Sequence, residues 1–182
     1  ATLNALAKLQ VRGAEGMDWD WCYPQKELDL RTIRWDLNYF KYAFLKPAGA
    51  IFDEDLLQDA FDMLEKDLIS VRGEYFLYRD FQSRNVMVSE GKIYFIDFQG
   101  GRKGNVFYDV ASFLFQARSG FSSEQRLTYL HLYREALLQE LSEEDKQQDW
   151  VREDVFLTHF YRYAFFRLMQ VMGAYGYRGW FE

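Results

Sequence analysis

Apolar residues along this chain recur mostly at intervals of three and four. Leu3, Leu6 and Leu9 share one face over residues 2–11, which predicts a short opening helix that Gly13 and Gly16 break. Leu30, Ile33, Leu37, Phe40 and Phe44 repeat the 3,4,3,4 spacing over residues 28–45, and Lys46-Pro47 closes that run. Asp53 is placed to cap a third helix, with Glu54 and Asp55 in its first turn and Leu57, Phe61, Leu64 and Leu68 on its buried face. It is expected to run to about Val71, before Gly73. A further helix is expected over residues 108–117. Ser122 with Gln125 spells a capping box for residues 123–140, with Leu127, Leu130, Tyr133 and Leu137 inward. Ser142 with Asp145 signals another cap. A long aromatic helix should run from about Asp149 to Met172, with Gly173 as the residue just past its end. Strand patterns are few. Tyr75-Phe76-Leu77 reads as one, and residues 86–88 and 93–96 read as two more joined by the tight turn Ser89-Glu90-Gly91-Lys92. The expected fold is mainly α (α+β overall): a single domain over residues 1–182, a helical bundle with one small β-hairpin and no large sheet.

Composition narrows the partners. With 182 residues, 49% of them hydrophobic, the chain is large enough for a sizeable core. A net charge of −6 disfavours a nucleic-acid backbone as partner. Cys22 is the only cysteine, so an internal disulfide is impossible, which fits a reducing cytoplasm. Neither a signal-peptide pattern nor an apolar run long enough to span a bilayer is present, so no membrane partner is expected.

The chemistry concentrates in residues 78–101, YRDFQSRNVMVSEGKIYFIDFQGG. Asp80 and Asn85 bracket a short loop with four residues between them. The hairpin that follows returns Asp97 beside Asn85, so a carboxylate and an amide carbonyl, both oxygen ligands of the kind Mg²⁺ prefers, face one point. Asp80, at the loop start, stays free to point at a substrate.

This order of residues resembles the kinase catalytic loop, H-R-D-x-x-x-x-N followed by D-F-G. Tyr78-Arg79-Asp80 with Asn85 matches the first part, with Tyr in place of His; Asp97-Phe98 matches the second, with Gln99 interrupting D-F-G. Only residues 99–107 separate Asp97-Phe98 from Tyr108-Asp109, no A-P-E occurs, and Gln82 stands where Ser/Thr kinases carry Lys. The chain therefore resembles the aminoglycoside phosphotransferase and choline kinase branch of the protein-kinase-like fold, from about Leu28 onward. Within it, RDFQSRNVMV, IDFQGGRKGNVFYDVASFL and GAYGYRG are most similar to bacterial kinases that phosphorylate N-acetylmuramate or N-acetylglucosamine at the anomeric hydroxyl.

The resemblance implies a small-molecule kinase that transfers the ATP γ-phosphate to a hydroxyl of a sugar or amino sugar. Asp80 would be the catalytic base, Asn85 and Asp97 would hold Mg²⁺ and the nucleotide, and Asp109 would support the backbone of the catalytic loop. Arg84 would reach the transferring phosphate or pair with a carboxylate such as Asp97 or Glu90. Aminoglycoside-type and choline-type kinases, a binding-only pseudokinase lobe and a protein kinase are the other readings. The chain has no G-x-G-x-x-G and no strand lysine of the V-A-I-K type. It is thus expected to be the C-terminal lobe alone, with a missing N-terminal lobe as partner and self-association through the exposed cleft face. Two further stretches have open readings. Asp18, Trp19, Asp20 and Trp21 interleave acids with aromatics, which suits a sugar or a cation, or else plugs the loop onto the core. Residues 100–104 read as a mobile basic link whose Arg102 and Lys103 meet phosphate or simply solvent.

Overall fold

The computed structural model describes residues 1–71 and 73–181, the last of these for its backbone alone. Among the described residues, six α-helices carry the fold: α1 (Thr2–Arg12), α2 (Leu30–Phe40), α3 (Glu54–Ile69), α4 (Phe107–Leu114), α5 (Ser123–Glu140) and α6 (Glu153–Phe181). Two two-stranded antiparallel sheets accompany them. In one, β1 (Tyr75–Leu77) pairs with β4 (Arg102–Gly104); in the other, β2 (Val86–Ser89) pairs with β3 (Lys92–Phe95). The protein is mainly helical with a small β part, as the spacing predicts.

The helix starts follow their caps. Asp29 accepts the Thr32 N–H at 2.8 Å to open α2. Asp53 accepts the N–H groups of Asp55 and Leu56, each at 2.9 Å, to open α3. The Ser122–Gln125 capping box of α5 is complete in both directions. The Ser142 hydroxyl accepts the Asp145 N–H at 3.0 Å where a 3-10 turn begins.

α6 is the axis of the bundle. α2, α3 and α4 pack along it, while α1 lies on α5. Fully buried Ile33, Leu37, Phe107, Tyr163 and Phe166 fill the centre. The Tyr163 hydroxyl shares a hydrogen bond with Asn105 and donates to the Leu68 carbonyl at 2.7 Å, so the phenol's polar end is satisfied inside the core.

Four expectations change. α6 does not stop at Gly173 but runs on through Gly173 and Gly176. These glycines are contact points rather than a terminus: a Cβ at Gly173 would lie 2.9 Å from the Tyr39 ring, and one at Gly176 would collide with the Ala43 carbonyl. The helix expected over residues 28–45 ends its regular part at Phe40 and continues as one π-helical turn, Lys41–Leu45, in which the Lys46 N–H reaches the Lys41 carbonyl at 3.0 Å. Leu127, expected inward on α5, is exposed. The link at residues 100–104 is not mobile. Lys103 donates to the Lys26 carbonyl at 2.9 Å and accepts from the Leu28 N–H at 2.8 Å, so β4 is held on both edges. Arg102 is buried there, its Nε donating to the Gly100 carbonyl at 3.0 Å.

Candidate active site

β1 delivers Tyr78, Arg79 and Asp80 at its end, and a buried carboxylate fixes their backbone. Asp109, at the start of α4, has no exposed surface. It accepts the Tyr78 N–H at 2.7 Å, the Arg79 N–H at 3.0 Å and the Gln10 amide at 3.3 Å. Burial pushes its carboxyl up to about 6, against the pull of those donors and of Arg79. Arg79 adopts φ 79°, a left-handed backbone that a long side chain enters only when its surroundings dictate it. Its guanidinium donates to both oxygens of Asp36, at 2.9 and 3.2 Å, and lies over the Tyr108 ring.

The hairpin aligns the next two residues. The Ile96 N–H donates to the Asn85 carbonyl at 3.1 Å, which seats Asp97 next to Asn85 in the chain's path. The Tyr78 hydroxyl donates to the Ile96 carbonyl and so ties the loop after β1 to the residue before Asp97. Burial and, after it, the Asp97 carboxylate push that hydroxyl up to about 12, so it remains a donor at physiological pH. Beneath the loop, Tyr78, Phe81 and Phe95 meet edge to face, with Phe81 5.1 Å from Phe95 between ring centres.

Asp97 takes φ 69°, the second left-handed residue of the site, and its side chain is exposed. Asn85 is buried and donates its amide to the Asp80 carbonyl at 2.8 Å, which leaves the amide oxygen without a hydrogen bond among the described residues. An exposed carboxylate and an unengaged amide carbonyl are hard oxygen donors, and such a pair suits Mg²⁺, which keeps several waters and takes phosphate oxygens as further ligands. Among the described residues no group of three or more His, Cys, Asp or Glu is disposed to hold a metal.

Asp80 is engaged on both sides. Gln82 donates to one oxygen and Arg84 pairs with the other at 2.6 Å. Of the partners considered for Arg84, neither Asp97 nor Glu90 is its ion pair. Beside Asp80 opens a cavity of about 260 Å³ between the loop after β1 and α6, with Arg84, Arg167, Tyr175 and Arg178 on its walls.

The aromatic-acid loop lies elsewhere. Asp18 caps its own 3-10 turn by accepting the Asp20 N–H at 3.0 Å. Asp20 pairs with Lys26 at the surface, at 2.6 Å. Trp19 packs against the core, whereas Trp21 is exposed on the rim of a separate apolar hollow of about 1170 Å³. Tyr78, Phe95 and Phe98 line the same hollow, but Asp80 does not.

Sequence reasoning missed Asp36, Gln10 and Gln170. Gln170 donates to Asp36 at 2.8 Å and receives the Tyr108 hydroxyl, so Arg79, Asp36, Gln170 and Tyr108 form one polar group behind the loop. One signal was available. Asp36 stands three residues after Ile33 and four before Phe40, on the apolar stripe of α2, where an unpaired carboxylate would be costly.

No curated protein matches the chain. A family profile described as phosphotransferase enzyme family, APH, matches residues 1–145, and the chain belongs to that family.

Proposed function

We propose that the chain is the C-terminal lobe of an ATP-dependent small-molecule kinase that phosphorylates a hydroxyl of a sugar or amino sugar. The observation that carries this reading is the placing of Asp80, Asn85 and Asp97 on one loop and hairpin, with Asp109 holding the backbone N–H groups of Tyr78 and Arg79 just before Asp80, Asn85 bonded to the Asp80 carbonyl, and Tyr78 tethering the residue before Asp97.

Phosphoryl transfer asks a protein for positioning and charge neutralisation more than for covalent chemistry. The acceptor oxygen forms a bond to the γ-phosphorus while the bond to the β–γ bridging oxygen breaks and ADP leaves. Asp80 orients the hydroxyl and accepts its proton, once the acceptor displaces Gln82 or Arg84 from the carboxylate. Asn85 and Asp97 would hold Mg²⁺ through their oxygens. When bound, that ion neutralises charge on the β- and γ-phosphates. Arg84 is close enough to Asp80 to meet the transferring group as it arrives. An N-terminal lobe would supply the donor loop and lysine, and would cover apolar residues that stand exposed on and after the hairpin, such as Met87, Ile96 and Phe98. Without that cover, this face favours self-association.

A binding-only lobe is the second reading, favoured by the engagement of both Asp80 oxygens within the chain. The experiment is transfer of labelled γ-phosphate by the full-length protein to a panel of N-acetylhexosamines, aminoglycosides and choline. Turnover that Asp80→Asn lowers by roughly 10²–10⁴-fold is expected. Nucleotide binding with no transfer to any acceptor would favour the binding-only reading.

A further inference from the structure

α6 carries more apolar surface than the bundle covers. Tyr161, Phe165, Leu168, Met172 and Tyr175 follow one another at intervals of four, three, four and three, so they share one face of the helix. Tyr161, Phe165, Leu168 and Tyr175 are 52%, 58%, 37% and 57% exposed, and Met172 is half-buried between them. Tyr163 and Phe166, on the opposite face, are the residues that the core buries. Apolar residues at this spacing ordinarily mark a face turned inward, and here they mark one turned to solvent.

The order of side chains along the stripe fits a second copy of the chain. It is close to palindromic about Leu168: Tyr161 and Tyr175 stand seven residues to either side, Phe165 and Met172 three and four. A two-fold interface needs a patch that complements itself. This one does so when two helices lie antiparallel, with Leu168 on Leu168, Phe165 on Met172 and Tyr161 on Tyr175. Charge selects the same orientation. Glu153 and Asp154 open α6 and Arg178 stands in its last turn. Within the chain the two carboxylates have only weak, exposed pairs, His131 with Glu153 at 3.6 Å and Arg152 with Asp154 at 3.1 Å. Antiparallel copies bring the acidic end of each helix toward the Arg178 end of the other and oppose the two helix dipoles, whereas parallel copies stack like charges. The three rings, about half exposed at roughly 200 Å² apiece, offer on the order of 300 Å² per copy. That falls short of the ~800 Å² per partner of a standard interface and fits a dimer of micromolar affinity.

We propose that this face pairs antiparallel with the same face of a second copy, making the protein a two-fold dimer through α6. The surface is separate from the exposed residues of the hairpin, and the proposal does not depend on the kinase reading. It bears on the candidate site all the same. Leu168 and Tyr175 also line the cavity beside Asp80, so Tyr161 of the second copy comes to that cavity's rim.

Sedimentation velocity of the full-length protein across the micromolar range should show a monomer–dimer equilibrium. Leu168→Lys and Leu168→Glu each put like charges on the two-fold axis and should each weaken the dimer by about a hundredfold, and mixing the two variants should restore it. Met87→Lys, on the hairpin, should leave it unchanged. In a Cys22→Ser background, a short bismaleimide should join Tyr161→Cys to Tyr175→Cys and neither variant to itself. A protein that stays monomeric overturns the proposal, as does a mixture of the Leu168 variants that fails to associate. Dimerisation that Met87→Lys abolishes and the Leu168 variants spare also overturns it, as does cross-linking of either cysteine variant to itself, which would mean parallel helices. Because the mixed pair gains association, a folding defect in one variant cannot imitate the expected result.

Discussion

Asp109 shows how much one side chain decides. Its two oxygens accept the N–H groups of Tyr78 and Arg79, and the latter residue is held at positive φ. Asp109→Asn keeps the shape but turns an NH₂ toward one of those donors. A buried unsatisfied group costs about 1–3 kcal/mol. The substitution should therefore lower stability by about that amount in urea denaturation, and activity by roughly 10²-fold through displacement of Asp80. The pH dependence has a definite sign. The folded carboxyl sits at about 6 and the free one at 3.8, so the native state binds the proton more tightly. This group's contribution to stability is full below pH 3.8 and is lost as pH rises through 6. The advantage of the natural protein over Asp109→Asn should accordingly shrink between pH 4 and 6.5, by up to about 3 kcal/mol. Thermal unfolding of both proteins across that range measures it, and a growing advantage would mean that Asp109 is ionised throughout. Tyr78→Phe makes a narrower change. It frees the Ile96 carbonyl and loosens the approach to Asp97 while the ring packing stays, and should cost about 1 kcal/mol of stability. Mg-ATP affinity should fall with it, and more steeply still in Asp97→Asn, whereas acceptor KM in the full-length protein should not move.

At the level of elements, what could be read from the sequence depended on whether an element is specified by its own residues or by its neighbours. α2, α3 and α5 carry their own caps and stripes, and their starts follow from Asp29, Asp53 and Ser122. The candidates Asp80, Asn85 and Asp97 could be picked out from the sequence because they lie within one short loop and hairpin. β4 could not. Arg102-Lys103-Gly104 has no apolar alternation, and is a strand only because β1 and the backbone around Leu28 flank it. Asp36 reaches Arg79 across 43 positions, a pairing that no local pattern encodes. The end of α6 was misread for a related reason. Gly173 and Gly176 are small because the end of α2 and the π-helical turn after it pass close by, not because the helix stops. Gly176→Ala should push α6 and that turn apart and cost about 1–3 kcal/mol, read from the denaturant midpoint. Gly179, with nothing near its missing Cβ, should accept Ala with little change or a small gain.

As a whole molecule, the chain would, on the proposed kinase reading, offer one wall of a nucleotide site. Asn85 and Asp97 can present oxygens to Mg²⁺, but nothing in the sequence supplies a glycine-rich phosphate loop or a strand lysine. Two protein oxygens alone hold Mg²⁺ poorly. Calorimetry of Mg-ATP against residues 1–182 should therefore show only millimolar or weaker binding, and micromolar affinity would place the whole donor site within this chain. No helix among the described residues is long and apolar enough to cross a membrane. The glycine seam of α6 has a reach beyond packing. The helix that threads Gly173 and Gly176 past Tyr39 and Ala43 also carries Tyr175 and Arg178 into the cavity beside Asp80. Its tilt at the seam therefore sets where those two side chains stand. Exchanging small residues along the seam would reshape that cavity while leaving every residue of its wall unchanged.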